Sequence, residues 1–426
     1  MEQLMEQQQK AVIVGVNLNH QQDFEYSMEE LANLAEACNV EVVGTVTQNL
    51  SRVNTSHYIG TGKLQDVTAM LEAQGGNLVI FNDELSPSQI RNLESDLDVK
   101  VIDRTILILD IFGERARTRE AQLQVEVAQL QYLLPRLVGL RESLGRQGGG
   151  VGTKNKGVGE KKLELDRRRI EEKITILNKE LEVLVAHRQT QRKKRKKTGM
   201  PVVSLVGYTN AGKSTVMNAL VELYTETKDK FVFEKNMLFA TLETSVRSIE
   251  LEGNKNFLLT DTVGFVSKLP HHLVKAFRST LEEVSEADLL LHVVDCSNPE
   301  YEQHIRITNE TLKAIGIEEI PMVYVFNKVD LKQDSVPDND LNTDTVHISA
   351  KKKWGIDELI SMIRQHIFKD YVQCMMLIPY DQGQLVSYLN ENAHVQDTSY
   401  ESDGTKLTLE CRTSDYMKFE HLVVQE

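Results

Sequence analysis

Short apolar runs alternate with helical spacing over the first hundred residues. Runs such as AVIVGV and LVIF have the length of one strand and contain no polar residue, which is typical of strands buried on both faces of a sheet. This alternation predicts a small α/β domain with a parallel sheet that ends near Phe112. The expected strands are Ala11–Val16, Glu41–Thr47, Leu78–Phe81 and Val99–Ile102, and the expected helices are Met28–Cys38, Gly62–Leu71 and Pro87–Leu97.

The apolar period changes after this domain. Apolar residues step by four and three along Leu123–Leu137 and again along Ile170–Leu184, and each stretch forms a narrow seam of the coiled-coil type. The stretch Gly139–Glu160 between them contains eight glycines. We therefore expect an antiparallel helical hairpin with a basic, glycine-rich tip; two independent amphipathic helices packed on the domain cores are the alternative. Pro135 should kink the first helix or mark its end.

The rest of the chain returns to strand–helix alternation. The basic run RKKRKK at 192–197 is typical of a solvated linker. The strands expected beyond it are Val202–Val206, Asn256–Thr260, Leu289–Val294, Met322–Phe326 and Val346–Ile348. A smaller α+β segment follows, with a helix around Gln384–Leu389, and it should pack on its neighbour because its own core is small. The class is α/β and multi-domain, with expected boundaries 1–112, 113–190, 191–200, 201–370 and 371–426.

Charge is unevenly distributed along the chain. The 426 residues carry a net charge of −14, with 49 Lys and Arg against 63 Asp and Glu, which argues against a general nucleic-acid coat and against DNA as a partner. Between Arg104 and Lys197, however, there are 23 basic and 12 acidic residues, which indicates one local polyanion contact. The four cysteines lie far apart without CxxC spacing, and no apolar run reaches the ~20 residues of a membrane span. We expect a cytoplasmic monomer in a reducing compartment.

The strongest chemical motif runs from Gly207 to Ser214, in the sequence GYTNAGKS. It follows the apolar strand VVSLV and precedes a helical pattern, which is the context that distinguishes a P-loop from a chance match. The glycines let backbone N–H groups surround a β-phosphate, Lys213 adds a charge toward the β and γ oxygens, and the Ser214 hydroxyl can bind Mg²⁺.

Two further motifs select the base and read the γ-phosphate. Asn327–Asp330 (NKVD) follows a strand, and the Asp330 carboxylate can accept from both N1–H and the exocyclic amine of guanine, which favours GTP over ATP. Ser349–Lys351 should form the second wall of the base pocket. Asp261–Gly264 (DTVG) can hold a Mg²⁺-bound water and meet the γ-phosphate. Between the P-loop and Asp261, Thr241 and Thr244 are both candidates for the threonine that reaches Mg²⁺.

These motifs together resemble the HflX family of ribosome-associated GTPases. The segments GYTNAGKST, LFATLETSVR, DTVGF, NKVD and ISA match its nucleotide site, and YIGTGKLQDV and ARTREAQLQVEVAQLQYLLPRLVG match its N-terminal domain and hairpin. The resemblance covers residues 11–368 well. It implies binding of GTP and GDP with Mg²⁺, binding to the large (50S) ribosomal subunit and its rRNA, and use of GTP in splitting or rescuing stalled or idle 70S ribosomes.

The resemblance also assigns roles within the site. It places the Mg²⁺ threonine at Thr241, beside Ser214 and, through water, Asp261. The residues expected to act in catalysis are Lys213, Thr241, Gly264 and Asn210, the last as a partial ligand of K⁺. The residues expected at the nucleotide are Gly207, Tyr208, Thr209, Asn210, Ala211, Gly212, Lys213, Ser214, Phe239, Ala240, Thr241, Leu242, Glu243, Asp261, Thr262, Val263, Gly264, Asn327, Lys328, Val329, Asp330, Ser349, Ala350 and Lys351.

The chain departs from familiar patterns in two regions, the nucleotide site and the hairpin. Many GTPases orient the attacking water with Gln directly after the DxxG glycine, but this chain has Phe265 there, so intrinsic hydrolysis should be slow. In the hairpin, Val158 stands where the family usually has Pro, and Lys161 and Lys162 add positive charge, so the tip should be looser and more basic. The residues expected at rRNA phosphates are Arg141, Arg146, Lys154, Lys156, Lys161 and Lys162.

Two other functions share parts of this pattern. The hairpin could serve a pure binding module in which the nucleotide only switches RNA affinity. GTPases of ribosome assembly or tRNA modification carry the same nucleotide motifs, but they lack this hairpin and its ARTREAQLQ entry.

Overall fold

The computed structural model describes residues 9–19, 23–146, 156–198, 200–225, 245–253, 255–268, 284–332 and 343–424. The chain divides into two compact units. The first consists of residues 1–191 with 235–243 and 266–279, and the second of residues 192–234, 244–265 and 280–426. None of the helices in these described stretches is long and apolar enough to cross a membrane.

The first unit contains a parallel four-stranded sheet with the order β2-β1-β3-β4. Its strands alternate with helices as the apolar pattern predicts, and the local signals explain several helix ends. Ser86 and Gln89 form a capping box at the start of α3, with Pro87 in the first turn, and Asp103 caps α4. The elements are β1 (Lys10–Leu18), α1 (Phe24–Ala37), β2 (Glu41–Leu50), α2 (Thr61–Gln74), β3 (Leu78–Phe81), α3 (Pro87–Leu97), β4 (Lys100–Asp103) and α4 (Arg104–Arg115).

Two long helices follow, α5 (Arg119–Arg146) and α6 (Lys156–Thr198). Arg119 of α5 pairs with Glu180 of α6 at 2.8 Å, and Glu126, two turns further along α5, pairs with Lys173 at 2.6 Å. The two helices run antiparallel, because the later residue of α5 meets the earlier residue of α6. Their apolar seams meet as the four–three stepping predicts. The buried side chains between them are Leu123, Val127 and Leu177.

The structure bears on two expectations about these helices. Of the two outcomes expected at Pro135, a kink or the end of the helix, the end is wrong, because α5 continues to Arg146. The Arg136 guanidinium donates 2.7 Å to the Tyr132 carbonyl. The predicted loop Gly139–Glu160 is shorter than expected, because α5 reaches Arg146 and α6 already begins at Lys156. The leucine, glutamate and arginine residues of that stretch have high helix propensity, which offsets the unfavourable propensity of the glycines nearest its two ends.

The basic run at 192–197 is also helical, within the last turns of α6. Lys, Arg and Gln lose little side-chain freedom in a helix, so a charged run can extend one without a core. Near its middle, α5 is fastened to the α/β domain of its own unit. The Tyr132 hydroxyl donates 2.5 Å to the buried Asp103 carboxylate, and Arg136 donates 3.0 Å to the Leu85 carbonyl.

The second unit is built around a six-stranded sheet with the order β10-β9-β8-β5-β7-β6. All neighbours are parallel except β6 and β7. The carboxyl ends of the parallel strands meet along one edge, where α/β proteins bind their ligands. The elements are β5 (Val202–Val206), α7 (Lys213–Tyr224), β6 (Ser245–Leu251), β7 (Lys255–Asp261), β8 (Leu289–Asp295), α8 (Tyr301–Ala314), β9 (Met322–Asn327), β10 (Thr345–His347) and α9 (Ile356–Ile367).

The C-terminal part of this unit is an antiparallel sheet with the order β12-β13-β11-β14. It packs on the larger sheet as its small core predicts, since Lys255 Nζ of β7 lies 2.8 Å from the Glu410 carboxylate and 5.5 Å above the Tyr371 ring. The expected α/β class with an α+β end is therefore confirmed. The elements are β11 (Tyr371–Ile378), α10 (Gly383–Asn392), β12 (His394–Glu401), β13 (Gly404–Arg412), α11 (Thr413–Lys418) and β14 (Val423–Val424).

Candidate functional site

The loop between β5 and α7 has a backbone that two glycines make possible. Gly207 adopts φ 141°, and a Cβ on it would lie 2.3 Å from the Val293 carbonyl oxygen of β8. Gly212 adopts φ 95°, and a Cβ there would lie 2.4 Å from the Asn327 amide nitrogen. Both conformations belong to glycine. The loop is thus pressed against the ends of two other strands, which fixes its shape.

Lys213, the first residue of α7, is buried under this loop. Its Nζ donates to the carbonyls of Gly207 at 3.1 Å and Tyr208 at 2.9 Å, and the residue is only 6% exposed. Burial lowers the pKa of Lys213 to about 8, while the nearby Asp261 carboxylate acts in the opposite direction. An ammonium held in this way is ready to meet phosphate oxygens without first being ordered.

Ser214 and Asp261 form the candidate metal position. The Ser214 hydroxyl donates 2.6 Å to the Asp261 carboxylate, which lies at the buried end of β7. One hydroxyl and one carboxylate are hard oxygen donors, as Mg²⁺ prefers when phosphates and waters complete its shell. The described residues hold no group of three or more His, Cys, Asp or Glu that could bind a metal alone. The donor set therefore fits Mg²⁺ bound together with a nucleotide.

The loop after β7 lies directly on the P-loop. The Phe265 carbonyl accepts from Thr209 N–H at 2.7 Å, and Phe265 N–H donates to the Gly207 carbonyl at 3.2 Å. A Cβ on Gly264 would lie 2.6 Å from Thr209 Cα and 2.9 Å from Lys213 Nζ. The backbone of Gly264 therefore lies beside the Lys213 ammonium. The Phe265 side chain is buried, so it packs and does not face a reacting water.

The base side of the site is a closed set of polar contacts at the ends of β9 and β10. The buried Ser349 hydroxyl donates 2.6 Å to the Asp330 carboxylate, and the Ala350 N–H donates 3.0 Å to the Asn327 side-chain oxygen. The Asn327 amide in turn donates 3.0 Å to the Ala211 carbonyl. Asn327 thereby connects the motif SAK to the P-loop.

The remaining expected residues support these contacts. The Tyr208 ring stacks on the buried His304 imidazole, with ring centroids 3.8 Å apart, and the Thr262 hydroxyl donates 2.7 Å to the Leu205 carbonyl. The Val329 N–H donates 3.2 Å to the Ile348 carbonyl. Val263 is buried, while Lys351 and Asn210 are exposed. Tyr208, Thr262 and Val329 are thus held by contacts with neighbouring elements.

Some expected residues lie outside the described part of the chain. These are Phe239, Ala240, Thr241, Leu242 and Glu243 of the nucleotide site and Lys154 of the hairpin. The backbones of Arg141 and Arg146 lie in α5, and those of Lys156, Lys161 and Lys162 lie in α6; their side chains are outside the described part as well.

The structure also brings in polar residues that the motifs do not contain. Asp295, at the end of β8, lies with its carboxylate 2.7 Å from Lys328 Nζ. His292 of the same strand is buried, and burial together with the Lys213 charge lowers its pKa to about 3. The usable signal was the polar run Asp-Cys-Ser directly after the apolar strand LLLHVV, since parallel strands carry functional groups at their carboxyl ends.

Comparison with known proteins covers almost the whole chain. Three family models match in order: a GTP-binding GTPase N-terminal region at residues 25–113, a GTP-binding GTPase middle region at 115–195, and a 50S ribosome-binding GTPase at 202–328. The chain is 45% identical to a GTPase HflX of Caldanaerobacter subterraneus over 96% of its own length and 92% of the relative's. It is 37% identical to a GTPase HflX of Escherichia coli over 93% and 92%.

A similarity to a solved structure was also found. A GTP-binding protein of the archaeon Sulfolobus solfataricus, solved with GDP, is 24% identical, with a TM-score of 0.44 over 85% of this chain and 99% of that one.

Proposed function

Because this chain belongs to the HflX family of GTPases and is a GTP hydrolase, we propose that it binds the 50S ribosomal subunit and uses GTP to split or rescue stalled or idle 70S ribosomes. The observation that carries the proposal is the nucleotide site itself. A base-pocket carboxylate, a buried P-loop lysine and a hydroxyl–carboxylate pair converge at one edge of one sheet. The helical hairpin, which precedes the nucleotide site in the sequence, is the proposed binding element for a large partner.

Guanine recognition rests on Asp330. Its carboxylate accepts the two neighbouring donors of guanine, and the Ser349 hydroxyl keeps one of its oxygens in place through a 2.6 Å bond. Adenine presents no such pair of donors, so the same carboxylate would be left desolvated and unpaired against it. GTP and GDP are therefore the proposed ligands.

Phosphate binding rests on the P-loop and on Lys213. Two N–H groups of the loop are used within the protein, since Thr209 donates to the Phe265 carbonyl and Ala211 to the Tyr208 carbonyl. The N–H groups at the C-terminal end of the loop would face the β-phosphate, and the buried ammonium would move its hydrogen bonds from the Gly207 and Tyr208 carbonyls to phosphate oxygens. Ser214, Thr241 and Asp261 would hold Mg²⁺, Asp261 through water. The ion would neutralise charge on the β and γ oxygens.

The γ-phosphate is sensed by Gly264. Its backbone lies against Thr209 and Lys213, so a γ-phosphate beside Lys213 meets the Gly264 N–H. GDP cannot make that contact, and this difference supplies the switch between nucleotide states.

Hydrolysis by the protein alone should be slow. Phe265 is buried and has no group that could orient water, so the catalytic arrangement has to be completed by the ribosome. The side chain of Asn210 is exposed on the P-loop and is proposed to help bind K⁺ beside the phosphates. We expect strong stimulation of turnover by 50S subunits, and higher turnover in potassium than in sodium buffer.

The rRNA contact is proposed at the hairpin tip. The helices α5 and α6 converge on residues 147–155 from opposite directions, and basic residues lie on both sides of that segment. Glycine has access to more backbone conformations than other residues, which suits contact with an irregular RNA surface. The cytoplasm, with a ribosome-bound fraction, is the proposed location.

Sedimentation of 70S ribosomes tests the proposal directly. Ribosomes are incubated with the protein and GTP, GDP or a non-hydrolysable GTP analogue and separated on a sucrose gradient. We expect free 50S and 30S subunits to appear at the expense of 70S with triphosphates and not with GDP. Intact 70S ribosomes with bound protein would favour a nucleotide-switched binding module, and binding to free 50S precursors alone would favour a role in assembly.

A matched variant makes this test specific to the site. Asp330→Asn protein should be inactive with GTP and active with XTP, because xanthine carries an oxygen where guanine carries its amine. Splitting by this variant with GTP at the wild-type rate would contradict the assignment of the base pocket.

A further inference from the structure

Asp295 ends β8 beside the nucleotide motifs without belonging to any of them. Its carboxylate Oδ2 lies 2.7 Å from Lys328 Nζ, and the two side chains are 16% and 24% exposed. The pair is therefore largely sheltered from water, where an ion pair is stronger than at an exposed surface.

Contacts other than the one with Lys328 also orient the Asp295 carboxylate. Its other oxygen, Oδ1, accepts from the Ser297 N–H at 3.1 Å and from the Ser297 hydroxyl at 2.6 Å. The backbone around it is fixed as well, since Asp295 is in register with Asn327 of β9, and the Cys296 N–H donates 3.1 Å to the Asn327 carbonyl. Only Oδ2 is left to face Lys328.

Lys328 adopts a backbone conformation that needs support. Its φ is 65°, in the left-handed region that a side chain other than glycine rarely occupies. This turn directs Nζ back onto the P-loop, where it donates 2.9 Å to the carbonyl of Asn210, itself at φ 60°. The Lys328 ammonium thus joins the Asp295 carboxylate to Asn210, a P-loop residue of unfavourable backbone geometry. Lys328 itself lies two residues before Asp330.

We propose that Asp295 is a positioning residue of the nucleotide site. Its carboxylate holds the Lys328 ammonium on the P-loop carbonyl, and so keeps the P-loop and the base-recognition turn in their binding geometry and slows nucleotide release. The inference rests on the proposed binding of guanine nucleotides at residues 207–214 and 327–330. It adds a residue that contacts neither base nor phosphate and acts through Lys328.

The test compares release rates of fluorescent mant-GDP by stopped flow. Asp295→Asn keeps the size of the side chain and removes its charge, and release should accelerate roughly 5- to 20-fold with little change in association. Lys328→Met should accelerate release at least as much. The double variant should release no faster than Lys328→Met alone, because the aspartate acts through the lysine.

Two controls separate positioning from a loss of structure. Glu318→Gln removes a carboxylate from the exposed pair with Lys313 on the same unit, 3.9 Å apart, and should leave release unchanged. Thermal unfolding of nucleotide-free protein reports any general destabilisation of Asp295→Asn. If that variant does not fold, Ser297→Ala takes its place, and by freeing the carboxylate it should still accelerate release several-fold.

The outcomes distinguish this inference from the function on which it rests. Wild-type release by Asp295→Asn, or effects of Asp295→Asn and Lys328→Met that multiply in the double variant, would overturn the positioning role and leave nucleotide binding intact. A wild-type protein that does not bind mant-GDP at all would refute the proposed site, and the inference with it.

Discussion

The nucleotide-binding sheet and the helical hairpin are built on different physical principles. The sheet β5–β10 is covered by helices and encloses a continuous core in which residues such as Leu205, Leu220 and Val293 are fully buried. Among the described residues of the hairpin, the seam buries only Leu123, Val127 and Leu177. Ion pairs that face solvent flank this seam.

This difference separates two ways of presenting a binding surface. In the sheet, backbone register brings distant motifs together, and polar groups are already held by hydrogen bonds before any ligand arrives. In the hairpin, exposed ion pairs contribute little, and the apolar seam must carry the stability of a long element. The first arrangement suits recognition of a small rigid ligand, and the second suits a large and irregular partner.

The largest effect is expected at the base pocket. Replacing Asp330 by Asn should lower GTP affinity by about 10⁴-fold or more, because the pocket then offers a donor to the guanine donors. The same variant should gain affinity for xanthine nucleotides. Fluorescence titration with mant-GTP and mant-XTP measures both.

The matched control for this variant is Asp344→Asn, which removes a carboxylate that is exposed in its pair with His366. It should bind GTP as the wild type does. Unchanged GTP affinity in Asp330→Asn would remove this residue from the base pocket and leave the sheet without its proposed specificity.

The next effect is expected at the hairpin tip. If four to six rRNA phosphates are neutralised, log K for 50S binding falls with log salt at a slope of roughly −3 to −5, or about 10²- to 10³-fold between 50 and 200 mM salt. Alanine at all six basic positions should flatten this slope and weaken binding, which filter binding over a salt series measures. The positions are Arg141, Arg146, Lys154, Lys156, Lys161 and Lys162.

A control with paired charges sharpens this result. Arg167, Arg168 and Arg169 each lie within 3.5 Å of an acidic residue of the same helix α6, so alanine at these three should change the slope little. GDP affinity should be unchanged in both variants. A sixfold variant with wild-type affinity and slope would show that the tip charges only solvate the chain.

Core substitutions should separate the stabilities of the two regions. Leu220→Ala in α7 should cost about 3–4 kcal/mol, because a fully buried leucine leaves a cavity in a rigid core. Leu177→Ala in α6 should cost about 2–3 kcal/mol and open only the hairpin. Hydrogen exchange measured by mass spectrometry shows which region each substitution destabilises.

Peptides of α5 and α6 should exchange faster in Leu177→Ala, while those of β5 and β8 should not. The exposed Leu223→Ala, on α7 with Leu220, serves as the control and should change neither. Faster exchange across the whole chain in Leu177→Ala would mean that the hairpin and the sheet unfold as one cooperative element.

The smallest effect is expected from pH. Burial holds the pKa of Lys213 at about 8, below its ordinary value, so unliganded protein loses this proton above about pH 8. Phosphate oxygens favour the charged ammonium, and binding above that pH must take up a proton. Because of this linkage, GDP affinity should be constant below pH 8 and fall by up to about tenfold per pH unit above it.

Lys213→Arg is the matched control for the pH profile, since a guanidinium stays charged throughout this range. The GDP affinity of Lys213→Arg should be weaker than that of the wild type, but it should not show the additional fall above pH 8. Ionisation of the guanine base affects the variant and the wild type equally. Parallel profiles for the two proteins would show that Lys213 keeps its proton up to higher pH than its burial implies.

Sequence reasoning succeeded where local pattern and tertiary structure agree. Most strands that pair in parallel contain an apolar run, although β2 mixes polar and apolar residues. The P-loop, Asp261 and Asp330 each follow such a run, so their meeting at one sheet edge could be predicted. Strand β6 was missed because Ser245–Leu251 alternates polar and apolar residues and pairs antiparallel at the sheet edge, a weaker pattern than a buried run.

Other features depend on contacts that no local pattern encodes. Pro135 was expected to kink α5 or to mark its end, and the helix does not end there. Tyr132 and Arg136 on either side of it are tied to Asp103 and Leu85, and that tertiary support outweighs the lost hydrogen bond. Asp295 is one of many acidic residues in the sequence. Its proposed role follows from strand register, which places it opposite Asn327.

The order of strands in the larger sheet has a consequence for synthesis of the chain. Strand β5 pairs with β7 and β8 at Val202↔Leu258 and Val203↔Leu289, and the base wall is completed only by Ser349. A nascent chain emerges from its N-terminus, so the sheet of residues 10–103 can fold long before a nucleotide pocket exists. A chain that stops short of Ser349 carries an intact P-loop sequence and yet lacks part of the proposed guanine site. With the proposed base pocket, guanine-nucleotide binding would therefore begin only after the last strand of this sheet has been translated.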